Sequence, residues 1–102
     1  FPVLFLGAKP SNTPSFYKSV WRLPSPNATE SFEEHCQKRK INLTGKVYKT
    51  PLHLHPFFSG NHLDCRNAEE FGETHICLPN FPEITNPQIH KIAEIVNAFE
   101  VK

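Results

Sequence analysis

Several features that would point to a function are scarce or missing in this sequence. Its 102 residues contain four glycines and no methionine. So few glycines leave no glycine-rich loop of the kind that cradles phosphate groups. Basic and acidic residues nearly balance, 11 against 10, and neither sign clusters. The charge therefore gives no basis for binding nucleic acid or an acidic membrane, and we expect neither among the partners.

The cysteine content and the lack of targeting segments favour a cytoplasmic protein. Three cysteines cannot all pair within one chain, and no stretch resembles a secretory signal or a membrane-spanning helix. Two Asn-x-Thr tripeptides, starting at Asn27 and Asn42, match the glycosylation pattern, but this tripeptide is common by chance. The chain also starts at Phe1 without methionine, which suggests a segment of a longer protein or a processed product.

The length suits a single small domain. Residues 1–6 are nearly all apolar, and Gly7 to Pro14 is rich in turn-forming residues. We interpret 1–14 as an N-terminal arm and loop, and 15–102 as the domain.

The end of the chain predicts a strand, a turn and a helix. The strand runs from Thr74 to Leu78 and stops at Pro79, which has no N–H to offer a sheet. Thr85 and Gln88 have the spacing of a capping box, so the next helix should begin near Asn86. Its apolar positions recur at steps of three and four and predict one packed face: Ile89, Ile92, Ala93, Val96 and Phe99.

The remaining elements are predicted from shorter patterns. The patterns predict strands at Tyr17 to Leu23 and at Lys46 to Leu52. They predict a helical turn at Asn67 to Phe71 that ends at Gly72.

A helix is predicted around the capping-box pair Ser31 and Glu34, with Phe32 and Cys36 as its buried residues. Together these elements predict an α+β fold, a small sheet of about three strands with two main helices packed on it.

His53 and His55 are the most suggestive candidates for a site. On an extended backbone, residues two apart project to the same side, a spacing that can hold a metal through two imidazoles. A third ligand could come from His62, Cys65, His75 or Cys77, but no metal-binding motif fixes the geometry. The alternative is that one histidine packs in an ordered loop and the other is exposed.

No complete catalytic constellation follows from the residues alone. Cys77 lies two residues after His75, but on a core strand it reads as a small buried apolar residue. The adjacent Glu69 and Glu70 should face apart, which makes them a poor carboxylate pair.

The order and spacing of motifs after residue 48 resemble the C-terminal domain of the DegT/StrS family of pyridoxal-phosphate-dependent sugar aminotransferases. The segment from Tyr48 to His53 reads Tyr-x-x-Pro-Leu-His, and the aromatic pair Phe57-Phe58 follows. An Ala-Glu pair at residues 68–69 and a Leu-Pro strand end with a Pro-x-Ile-Thr turn at residues 78–85 complete the match. Upstream the resemblance is looser, and Lys40-Ile41 stands where the family usually has Gly-Ile.

The resemblance implies the small domain of a fold-type I aminotransferase. Such enzymes move an amino group between glutamate and a nucleotide-linked keto-sugar, with pyridoxal phosphate held on a lysine of the large domain. This chain would lack that domain, so we expect no cofactor on it and no catalysis by it alone. In the full enzyme we expect a homodimer.

Within the resemblance, the small domain closes over the active site and contacts substrate. The motif match assigns this role to His53, with His55 and Phe57 beside it; the alternative is that His53 only orders its loop. A stand-alone, non-enzymatic interaction or structural module derived from the family is the alternative function. A small metal-binding protein using His53 and His55 is a third.

Overall fold

The computed structural model describes residues 4–5, 15, 17–43, 45–58 and 64–100, and for 4–5 it describes the backbone. The predicted loop from Gly7 to Pro14 lies outside the described residues. The elements in chain order are β1 (Leu4–Phe5), β2 (Ser19–Arg22), α1 (Pro26–Lys38), two 3₁₀ turns (Leu52–Leu54 and Pro56–Phe58), α2 (Arg66–Thr74), β3 (His75–Leu78) and α3 (Asn86–Asn97). The fold is α+β, as the sequence predicts. Within the described residues, no helix has the length and apolar character needed to cross a bilayer.

The sheet is antiparallel, with its three strands in the order β1-β2-β3. The predicted N-terminal arm supplies the short edge strand β1. In β2, Ser19 and Trp21 lie on the same side, since the indole Nε1 donates a 2.9 Å hydrogen bond to the Ser19 hydroxyl. Trp21 also pairs with Ile76 of β3, so β2 joins the arm to the buried strand.

Helices α1 and α3 share one hydrophobic core with β3. The rings of Phe32 on α1 and Phe99 after α3 meet edge to face, with centroids 5.0 Å apart. The residues of this core are Leu23, Ala28, Phe32, Cys36, Ile41, Ile76, Leu78, Val96 and Phe99. Two main helices on the sheet, with Phe32 and Cys36 buried, agree with the prediction.

Helix α1 begins earlier than predicted. Its N-cap is Ser25, whose hydroxyl accepts from the Ala28 N–H at 3.1 Å, and Pro26 follows at the first helical position. A proline is favourable there because first-turn N–H groups have no intrahelical partner. The predicted cap, Ser31, therefore lies inside the helix, and that prediction is wrong.

Helix α3 begins where it was expected. Thr85 accepts from the Gln88 N–H, and the Gln88 side chain accepts from the Thr85 N–H at 2.9 Å, so the capping box is complete. Only the last part of its apolar stripe is fully covered. Val96 is buried, whereas Ile89 remains 46% exposed.

Two predictions in the middle of the chain are wrong. Residues 46–52 form no strand, because the Val47 N–H donates to the His75 ring at 2.9 Å instead of to a sheet neighbour. Gly72 does not end a helix, since α2 continues to Thr74. Gly72 instead gives room to the Tyr48 ring: a Cβ there would lie 3.3 Å from Tyr48 Cε2.

Candidate functional site

A pocket of about 610 Å³ lies between the 3₁₀ turns and the first part of α2. Its wall is mostly apolar, with two histidines among the lining residues. These residues are Tyr48, Thr50, Pro51, Leu52, His53, His55, Phe58, Cys65 and Ala68. Apolar walls with a few placed polar groups are typical of small-molecule sites.

Tyr48 forms the wall that faces the body of the domain. Its hydroxyl donates a 2.8 Å hydrogen bond to the Ala68 carbonyl on α2. Its ring packs against Phe71 and His75, with centroids 5.5 and 5.8 Å away. Tyr48 is therefore held by hydrogen bonding at its tip and by packing along its ring.

His53 brings an unpartnered polar atom to the pocket. Its side chain is 8% exposed, and its buried Nε2 has no hydrogen-bond partner among the described residues. The nearest charged group is Glu69 on α2, with Oε1 3.7 Å from Nε2. That separation is too long for a hydrogen bond but within range of an ion pair if the imidazole is protonated. A buried polar atom without a partner is unfavourable, so a ligand that forms a hydrogen bond with Nε2 would remove this cost.

The other two predicted site residues are placed differently. The Nε2 of His55 lies 3.1 Å from the Thr50 carbonyl and, since a carbonyl only accepts, donates to it. That bond closes the turn, so one ring nitrogen of His55 stabilises the loop to which His55 belongs. Phe57 is 89% exposed and lies outside the pocket lining, where its ring meets that of Phe58. Of the aromatic pair, Phe58 is the pocket residue.

The two adjacent glutamates face apart, as predicted. Glu69 approaches His53, while Glu70 accepts a 2.7 Å hydrogen bond from Arg22 on β2. The arrangement cannot act as a carboxylate pair. The approach of Glu69 to His53 had no signal in the sequence, because it depends on how the 3₁₀ turns pack on α2.

His75 and Cys77 lie in the core instead of at the pocket. Both are at most 1% exposed on β3, and burial raises the pKa of the Cys77 thiol. Among the described residues, no group of three or more histidine, cysteine, aspartate or glutamate side chains could hold a metal ion. His62 is outside the described residues.

Sequence reasoning missed part of the lining. Tyr48 and Ala68 were read as motif positions and not as pocket residues, although their place in the motif could have marked them. Cys65 was considered as a third metal ligand and not as a pocket residue.

The model of the DegT/DnrJ/EryC1/StrS aminotransferase family matches residues 5–97. The chain belongs to this family. No curated protein matches the sequence.

Among solved structures, the chain is similar to S. venezuelae DesV, crystallised with a ketimine intermediate. The TM-score is 0.83 and the sequence identity 22%, so the likeness shows a shared fold. The match covers 99% of this chain and 28% of the DesV chain. This DegT-family chain therefore corresponds to about a quarter of DesV.

The pocket does not suit pyridoxal phosphate as a resident group. A Schiff base needs a lysine amine, and none of the lining residues is a lysine. Lys46, close in sequence, donates instead to the Gly72 carbonyl at 2.9 Å. The described pocket can supply contacts to a ligand, but not the covalent anchor.

Proposed function

We propose that residues 15–102 form the C-terminal small domain of a pyridoxal-phosphate-dependent nucleotide-sugar aminotransferase. In this proposal the domain closes over an active site whose cofactor lysine belongs to a separate large domain. It contacts the substrate and is not catalytic alone. The full enzyme is a cytoplasmic homodimer that takes its amino group from glutamate. Family membership and the 28% share of DesV support this reading.

The observation that carries substrate contact is the buried Nε2 of His53, which has no hydrogen-bond partner in the part of the chain that the structure describes. An imidazole nitrogen can donate to a diphosphate oxygen or exchange hydrogen bonds with a sugar hydroxyl. Either group would remove the cost of leaving this buried atom without a partner. The rings of Tyr48 and Phe58 offer apolar surface for a sugar face or a base.

Exposed apolar residues around the pocket support a covering domain. Leu52, Leu54 and Phe57 are 69%, 52% and 89% exposed along the two 3₁₀ turns. Exposed apolar side chains grouped within one short segment are typical of an interface that is covered in the assembled protein. It favours the aminotransferase reading over an independent module with a self-contained polar surface.

A titration of the labelled chain with uridine and thymidine diphosphate, followed by NMR, tests the substrate contact. We expect shifts at His53, Tyr48 and Ala68, and their loss in the His53→Ala variant. His90→Ala is the matched control because His90 is exposed on α3. Shifts that persist in His53→Ala, or that centre elsewhere, would remove His53 from the proposed site.

The coding frame tests the remainder of the proposal. A frame of several hundred residues that ends in this segment and carries a cofactor lysine upstream would support the aminotransferase. A frame of about this length would instead support the stand-alone module. Full-length protein, where such a frame exists, should then bind pyridoxal phosphate and use glutamate as amino donor.

A further inference from the structure

His75 lies behind the pocket, at the junction of α2 and β3, and uses both of its ring nitrogens. Its side chain is fully buried. Nδ1 lies 2.6 Å from the Phe71 carbonyl, and Nε2 lies 2.9 Å from the backbone nitrogen of Val47. The ring also stacks on Phe71, with centroids 4.2 Å apart and planes 6° from parallel.

These two partners determine the protonation state of His75. A carbonyl oxygen only accepts, so Nδ1 must carry the hydrogen; a backbone N–H only donates, so Nε2 must offer its lone pair. The ring is therefore neutral and protonated at Nδ1. Neither the imidazolium nor the other tautomer can make both bonds.

The bond from Val47 fixes a segment that has no regular structure of its own. Residues 45–48 lie between α1 and the 3₁₀ turns and belong to no helix or strand. Lys46 is tied to the Gly72 carbonyl, and Tyr48 to the Ala68 carbonyl. His75 holds Val47 between these two attachments, and the next residue, Tyr48, is a wall of the pocket.

We propose that His75 is a positioning residue for the pocket: as the neutral Nδ1–H tautomer it anchors Val47 and thereby the Tyr48 wall, and protonation of Nε2 releases both. Proton uptake replaces the acceptor of the Val47 N–H with a second N–H, so the two groups repel and the segment must move. The pocket is thus intact at neutral pH and loses this wall in acid.

The charges around His75 oppose protonation. Burial has the largest effect and lowers the pKa of His75; the hydrogen bond to the Phe71 carbonyl raises it by less, and the nearby cations Lys46 and Lys18 lower it further. Arg22 is opposite His75 in the sheet, and its charge is paired with Glu70. Cys77, two residues along β3, is a neutral thiol with a raised pKa. The release therefore falls below pH 6.5, the ordinary value for histidine.

Imidazole nitrogen NMR on the labelled chain, from pH 7.5 downward, measures the tautomer and the protonation of His75 directly and requires no ligand. We expect the Nδ1–H tautomer of His75 to persist below pH 6.5. Its protonation should coincide with a shift of the Val47 amide and of the Tyr48 ring signals. An Nε2–H tautomer at pH 7.5, or protonation of His75 that leaves Val47 and Tyr48 unchanged, would overturn the proposal.

Substitutions of His75 distinguish a role in positioning Val47 from a role in packing the core. His75→Gln can present an amide oxygen to the Val47 N–H but takes up no proton, so Val47 should stay protected from hydrogen exchange at both pH 7.5 and 5.5. His75→Phe keeps a ring but no acceptor, so Val47 protection should fall at both values by about tenfold, the worth of one hydrogen bond.

The exposed His90 provides the matched control, since His90→Gln should leave Val47 protection and its pH dependence as in the unmodified chain. If His75→Phe does not fold, the titration of the unmodified chain and the comparison with His75→Gln still test the proposal. A Val47 amide that loses protection in acid equally in His75→Gln and in the unmodified chain would also refute the proposal. Because every readout lies within the chain, this outcome is independent of whether nucleoside diphosphates bind at His53.

Discussion

His35 on α1 hydrogen bonds to the main-chain carbonyl of Ile95 on α3, with its Nε2 2.7 Å from the oxygen. The carbonyl can only accept, so Nε2 donates. The His35 ring also meets Phe99 edge-on at a centroid distance of 5.3 Å. One half-buried side chain thus joins the two main helices by a polar and an aromatic contact.

Replacing His35 by alanine should therefore destabilise the fold. We expect the free energy of unfolding to fall by about 1–2 kcal/mol, from one lost hydrogen bond, an unsatisfied carbonyl and a lost ring contact. Urea denaturation measures the change. His90→Ala, on the exposed side of α3, is the control, and equal losses in both variants would contradict a specific role for the His35–Ile95 bond.

Lys40 occupies a backbone position that normally suits glycine. Its φ is +62°, and the turn after α1 is closed by bonds from the Lys40 N–H to Gln37 and from the Ile41 N–H to Cys36. This is the Schellman arrangement, in which the left-handed residue is usually glycine. It is also the position where the sequence departs from the Gly-Ile of its family.

Lys40→Gly should stabilise the chain by about 0.5–1 kcal/mol. Glycine removes the left-handed strain, and the added freedom of the unfolded chain offsets part of the gain. Thermal or urea unfolding checks this against Lys40→Ala, which keeps the strain and should change little. A destabilised Lys40→Gly variant would show that the lysine side chain contributes more than the backbone costs.

Stability should fall in acid because of His75. Its pKa is lower in the folded chain than the ordinary 6.5, so the unfolded state takes up this proton first. The contribution is complete above pH 6.5 and is lost as pH falls through the folded pKa, at up to about 1.4 kcal/mol per pH unit for one proton. Urea midpoints between pH 7.5 and 5 should depend less on pH in His75→Gln. Parallel curves for the two proteins would count against this assignment.

The three free cysteines should differ in reactivity. Burial raises the pKa of Cys36 to about 11, and Cys36 and Cys77 are almost completely buried. At neutral pH, the thiolate fraction of Cys36 is then about a hundredfold smaller than that of a thiol with a pKa of 9.0. Cys65 is half-buried in the pocket wall and should react first. Mass spectrometry after brief alkylation measures the order in which the three cysteines react. Early labelling of Cys36 would contradict this prediction and indicate that the core opens readily.

The elements predicted correctly from the sequence are those whose signals are local. The cap of α3 depends on Thr85 and Gln88, three residues apart, and the structure has both of its bonds. The start of α1 was predicted wrongly from a signal that is equally local, the capping-box spacing of Ser31 and Glu34. In the fold Ser25 caps the helix instead, and the earlier start adds Ala28 and Thr29 to the buried face.

The other errors and omissions concern groups whose partners are distant in the chain. Residues 46–52 have strand-forming side chains, but Val47 finds its acceptor in His75, 28 residues later. The unpartnered nitrogen of His53 likewise follows from the packing of a 3₁₀ turn on α2.

The sequence by itself determined the α+β class, the family motifs, the α3 cap and the burial of Phe32, Cys36, Val96 and Phe99. These depend on residue spacing within a few turns of chain, where backbone geometry leaves few choices. Only the tertiary structure decided that Phe58 lines the pocket while Phe57 is exposed, and that Glu69 approaches His53. The physical reason is that hydrogen-bond partners and burial at this site come from separate segments, and chain folding alone brings those segments together.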